Sequence, residues 1–149
     1  MKKLELTLAL FKPDVQRFRN YVKQTENIIS KYNLEILHHK QLVINKNLAE
    51  KFYTNHKGKF YYDRLVNYMT CGLIGAYILR GENAISNWRL LLGPTKVYRA
   101  IHEQPGSLRG QFGLTDTRNG YHGSDSQENA FTEIKLIFPE VDFKDLFIK

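Results

Sequence analysis

Leu4, Leu6, Leu8 and Leu10 alternate with Glu5, Thr7 and Ala9, the period-two pattern of a strand over residues 4 to 11. Pro13 closes that strand, because proline has no N–H for a ladder. Phe18, Tyr21, Val22, Ile28, Ile29 and Tyr32 recur at helical spacing and predict an amphipathic helix over residues 16 to 32. The stretch "LEILHHKQLVI", residues 34 to 44, reads as a second strand. Its adjacent His38 and His39 point to opposite faces and cannot share a metal. Asn47 followed by Glu50 resembles a capping box opening a short helix that Gly58 breaks. A helix is expected from Tyr61 to Met69, a third strand in "LIGAYILR", and a helix from Asn83 to Leu92 with Ile85, Trp88 and Leu92 on one stripe. Gly93 and Pro94 end that helix. Residues 94 to 117 read as loop, holding Pro105, Gly106, Gly110 and Gly113. A short fourth strand over Gly120 to His122 follows, then a last helix starting at Ser124 or Ser126 and stopping at Pro139.

The order β-α-β-(αα)-β-α-loop-β-α suggests an α+β fold of the ferredoxin-like kind, a four-stranded antiparallel sheet covered by helices. No composition shift marks a boundary, and 149 residues suit a single domain spanning 1–149. At 42% hydrophobic and 25% charged, the chain has the profile of a globular protein rather than a disordered one. Its apolar runs fall far short of the roughly 20 residues of a membrane-spanning helix, so no membrane partner is expected. The start "MKKLELTLALF" resembles a first strand more than a signal peptide. A cytoplasmic location is expected, with a mitochondrial one as the alternative. Cys71 is the one cysteine; it fits a reducing compartment and, beside Gly72, is expected to be a small buried residue.

Charge narrows the partners. Lys and Arg total 22 against 15 Asp and Glu, a formal +7, which calls for nucleic acid, an anionic surface or a small phosphate-rich ligand. Arg89, Lys96, Arg99, Arg109 and Arg118 gather in a region rich in glycine and polar residues, favouring a local anionic site. No basic helix or aromatic–basic motif supports nucleic acid. Within "RNGYHGSDS", His122 sits among small and polar residues just before a helix. A helix N-terminus attracts phosphate, and an imidazole, with an unperturbed pKa of about 6.5, is nucleophilic near neutrality. The site suits a histidine that accepts a phosphoryl group. Ser124 and Glu133 can approach the ring if the last helix runs past it, fixing its tautomer. Lys12 can project from the end of the first strand, and "FYY" at 60 to 62 offers aromatic surface to a base. Neither GxxxxGK[ST] nor GxGxxG is present.

"NGYHGSDS" is similar to the N-x-x-H-G-S-D-S signature of nucleoside diphosphate kinases. "LALFKPD", "KFYYDRLVNYM", "RLLLGPT" and "PGSLRGQFG" resemble, in order, that family's first strand, nucleotide-clamp helix and phosphate-binding segments. "GPTKVYRA" and "FGLTDTRN" look like the divergent nucleoside diphosphate kinase 6-like branch. The resemblance implies the ferredoxin-like fold and a ping-pong transfer between nucleoside tri- and diphosphates through phosphorylated His122. It implies that Lys12 binds the ribose and the transferring phosphate, Tyr53 lies near the reacting group and His56 near the diphosphate. Tyr61 would stack on the base, Arg89, Thr95 and Arg109 would bind phosphates, and Asn119 the ribose hydroxyl. Ser124 and Glu133 would hold His122, and Asp125 would hold Mg²⁺ through water. A weakly active or inactive member serving as a protein-binding subunit is the alternative. The stretch between Thr95 and Arg109 is longer than the family's common form and lacks the proline usually found just after the threonine, and the chain ends soon after the last helix. A homodimer is therefore expected rather than the family's hexamer.

Overall fold

The computed structural model describes residues 3–147. Strands β1 (Leu4–Phe11), β2 (Glu35–Leu42), β3 (Ile74–Glu82) and β4 (Tyr121–Gly123) form one antiparallel sheet in the order β2-β3-β1-β4. The helices are α1 (Pro13–Gln16), α2 (Arg19–Lys31), α3 (Lys46–Phe52), α4 (Tyr62–Met69), α5 (Ala84–Leu92), α6 (Val97–Glu103), α7 (Leu108–Phe112) and α8 (Gln127–Ile137). Single 3-10 turns occur at Thr54–His56 and Phe143–Phe147.

The alternation along β1 serves a sheet covered on both faces. Leu6, Leu8 and Leu10 enter one core with Ala49 of α3, Val66 and Met69 of α4, and Ile134 and Ile137 of α8. Ala9 and Phe11 enter the other, with Ile29 of α2 and Trp88 and Leu92 of α5. This is the ferredoxin-like arrangement that the element order suggested. Burying these side chains from water is the main favourable contribution to folding. His39 stacks on Tyr77 of one core while His38 lies by Phe138 of the other, so the two histidines do face opposite ways.

The topology places the site. β1 and β4 are antiparallel neighbours, with Leu10 opposite His122 and Phe11 opposite Tyr121. The end of β1 therefore meets the start of β4, and the Lys12 N–H donates to the Gly120 carbonyl at 2.8 Å. Gly120 turns the chain into β4 with φ +88°, and a Cβ there would lie 2.9 Å from Val15 Cγ2. Both conditions require glycine.

Several expectations are corrected. The helix expected over 16 to 32 is broken: α1 ends at Gln16, and Phe18 is the extended N-cap of α2. Asn45, not Asn47, caps α3, its side chain accepting from Leu48 N at 2.8 Å; Asn47 already lies inside the helix. The stretch 94 to 117 holds two short helices. α6 buries Val97 and Ala100, and α7, capped by Ser107, buries Leu108 and Arg109. Each has too few apolar residues to display a period, and the intervening Pro105 and Gly106 mask both. Cys71 is exposed rather than buried, because it lies on the bend between α4 and β3. The strand expected over Gly120 to His122 is Tyr121–Gly123, since Gly120 is used by the turn.

Candidate active site

A cleft of about 700 Å³ opens where the end of β1 meets β4. Lys12, Tyr53, His56, Tyr61, Arg89, Thr95, Arg109, Asn119, His122, Asp125 and Glu133 all line it. Of the residues expected at the site, only Ser124 does not; it is fully buried behind the cleft wall.

His122 occupies the middle of β4. Its Nε2 lies 2.8 Å from Glu133 Oε1, and the same oxygen accepts from Ser124 Oγ at 2.7 Å. Ser124 Oγ in turn accepts from the Leu8 N–H of the central strand at 3.1 Å. α8 starts behind Ser126, whose side chain accepts from Asn129 N, and burial of Ala130, Ile134 and Ile137 sets the rotation that presents Glu133 to the cleft. A carboxylate can only accept, so Nε2 carries the proton and Nδ1 keeps its lone pair. Nδ1 has no hydrogen-bond partner among the described residues. The Phe52 ring meets the imidazole edge-on, with centroids 5.0 Å apart.

The cations beside His122 are short of anions. Lys12 is 6% exposed, and its Nζ donates to Asn119 Oδ1 at 2.8 Å. Burial, then the Arg109 charge, push its ammonium down to about 7, against the opposing pull of Asp14. Asn119 completes its bonds by donating to the carbonyls of Thr95 and Asp116, both at 3.2 Å. Arg109 donates to Gly93 O at 2.9 Å and Tyr121 O at 3.1 Å, leaving Nε buried without a partner among the described residues. Burial and Arg89 lower its guanidinium to about 10. Arg89 and Thr95 are exposed on the rim. His56 Nδ1 meets the Tyr61 hydroxyl, and burial followed by the charges of His122 and Lys12 holds its imidazole below the usual range. The Tyr53 hydroxyl is buried and has no partner among the described residues; burial and then Glu133 raise its pKa. Two buried cations whose charge burial disfavours thus face one cleft, an arrangement suited to an anion.

The aromatic stretch divides. Tyr61 stands half-buried at the N-cap of α4, while Phe60 is 91% exposed at the mouth of the cleft. Phe60, offered by the sequence within the aromatic stretch 60 to 62, and Arg64 also line the cleft, as does Asp116; of these, Arg64 and Asp116 were not expected at the site. "KFYYDR" carried a signal for Phe60 and Arg64; nothing in the local pattern pointed to Asp116. No group of three or more His, Cys, Asp or Glu among the described residues could hold a metal ion. Asp125 is exposed at the cleft, one oxygen accepting from Asn129 Nδ2. A lone carboxylate beside an anion site fits Mg²⁺, which keeps several waters and takes other ligands from substrate phosphates.

The family model described as nucleoside diphosphate kinase matches residues 5–143. Nucleoside diphosphate kinase 6 of Xenopus tropicalis is 46% identical over 100% of this chain and 83% of its own length. A nucleoside diphosphate kinase of Methanocaldococcus jannaschii is 40% identical over 95% of this chain and 98% of its own. The crystal structure of the Aquifex aeolicus nucleoside diphosphate kinase superposes with a TM-score of 0.87 at 32% identity, covering 91% of this chain and 96% of that one.

Proposed function

The chain belongs to the nucleoside diphosphate kinase family, and from that premise we propose that it moves the terminal phosphate of a nucleoside triphosphate to a nucleoside diphosphate through His122. The observation that carries this reading is the Glu133–His122 bond, which leaves Nδ1 with a free lone pair in a cleft that Lys12, Arg89 and Arg109 also line.

In the first half-reaction Nδ1 attacks the terminal phosphorus. The Nδ1–P bond forms as the P–O bond to the leaving diphosphate breaks, and the diphosphate leaves with the electron pair. The ring gains positive charge, which faces the Glu133 carboxylate. Lys12, Arg89 and Arg109 meet the negative charge on the phosphoryl oxygens, the main requirement of phosphoryl transfer. Thr95 contacts phosphate at the rim, His56 the diphosphate, and Tyr53 packs beside the reacting group. Asn119, already tied to Lys12, receives the ribose hydroxyl. Asp125 would hold Mg²⁺ through water, and when bound the ion neutralises phosphate charge. The second half-reaction reverses these steps with another diphosphate.

Tyr61 stacks on the base, an interaction of about 1–3 kcal/mol that tolerates any base. Labelled phosphoenzyme, freed of nucleotide and mixed with single diphosphates, should therefore pass its label to purines and pyrimidines alike, purines somewhat faster. A phosphoenzyme that keeps its label, or yields it to one base alone, contradicts the proposal.

A further inference from the structure

We propose that Trp88 is a positioning residue for His122, a role that rests on His122 being the phosphate acceptor. Trp88 is fully buried in α5 and does not line the cleft. Its helical stripe explains that burial but not where the indole N–H points. Nε1 donates to the main-chain carbonyl of His122 at 3.0 Å. The indole reaches β4 from the core that holds Ala9, Phe11 and Tyr121, while the imidazole faces Glu133 and Phe52 on the other side of the sheet. His122 is thus held from both faces, its ring by α8 and its main chain by α5.

Gly123 completes the fit. A Cβ there would lie 2.7 Å from Trp88 Cδ1 and 3.1 Å from Nε1, so any larger residue would push the indole off the strand. The clamp falls on the shortest strand, at the sheet edge. β4 spans Tyr121–Gly123 and, among the described residues, pairs with β1 alone, so few ladder bonds fix the strand that carries the nucleophile. The neighbouring Tyr121 carbonyl is tied by Arg109, but Arg109 also faces the cleft. Trp88 itself does not line the cleft; it bonds the nucleophile's residue through the His122 carbonyl, and its ring also meets Tyr121 edge-on. Attack on phosphorus needs the nitrogen close to in-line, and a misplacement of about 1 Å costs on the order of a hundredfold in rate.

Trp88→Phe keeps a buried aromatic ring and removes the N–H. The expected result is about tenfold slower phosphorylation in a single turnover, part of the cost of full misplacement, with nucleotide KM unchanged within about twofold. Trp88 is the only tryptophan in the chain, so the protein gives one indole N–H resonance. That resonance should shift when triphosphate phosphorylates the native protein. A wild-type rate in Trp88→Phe, rate and KM changing together, or an indole signal indifferent to phosphorylation would each overturn the proposal. If Trp88→Phe does not fold, the indole signal of the native protein decides. Failure of the His122 premise shows separately, as label retained by His122→Ala.

Discussion

Lys12→Met is expected to slow phosphotransfer by about a thousandfold, the upper range for losing one charged donor to a developing anion. The same change should stabilise the nucleotide-free protein at low pH. Lys12 is buried, and its ammonium titrates at about 7 in the folded chain against the ordinary 10.5. Between those values the unfolded chain holds a proton that the folded chain has released, so the stability of the native protein rises with pH across the window. Below pH 7 the folded chain must keep the charge buried, and the cost is complete. Methionine fills similar space without that charge, although Asn119 Oδ1 loses its donor, a cost of about 1–3 kcal/mol. The advantage of Lys12→Met in thermal unfolding should therefore be greatest below pH 7 and shrink as pH rises towards 10.5. A difference that stays constant from pH 6 to 10 would show that the Lys12 charge is not held at a cost. Full activity in the variant would remove Lys12 from the site.

Glu133→Gln is expected to reduce turnover by about a hundredfold, within the range of losing a group that assists at the reacting centre. Glutamine matches the shape of glutamate and can still accept from Ser124. It removes the negative charge facing the imidazole as the ring becomes cationic, and its amide can donate to Nε2 and favour the wrong tautomer. The loss should appear in kcat, with nucleotide affinity little changed, because the groups proposed to bind phosphate are Lys12, Arg89 and Arg109. Stopped-flow phosphorylation measures it directly. A rate within a few-fold of the native protein would mean that the bond at 2.8 Å orients the ring without stabilising its charge.

The contrast between these residues shows what the sequence could carry. His122, Ser124 and Glu133 were legible because they lie close together along the chain at a strand-to-helix junction, where spacing decides contact. Lys12 was visible as a strand-end lysine, but its bond to Asn119 spans 107 positions, and only the β1–β4 pairing creates it. Its burial and lowered pKa follow from that pairing, so local pattern could not reveal them. α6 and α7 escaped because each buries only two residues and glycine and proline surround them. Cys71 was misplaced because small size suggested burial, whereas a bend between two elements exposed it. Trp88 was rightly assigned to a core stripe, yet periodicity places a side chain on a face and leaves the direction of its N–H undetermined.

The chemical nature of the phosphoenzyme bears most directly on the whole mechanism. Incubation with triphosphate labelled in its terminal phosphate, followed by separation that preserves nitrogen-linked phosphate, should give a labelled chain that loses its label in acid and retains it in base. His122→Ala should fold and take up none. Label that survives acid, or that persists on His122→Ala, would contradict the assignment of His122 as the group that carries the phosphate.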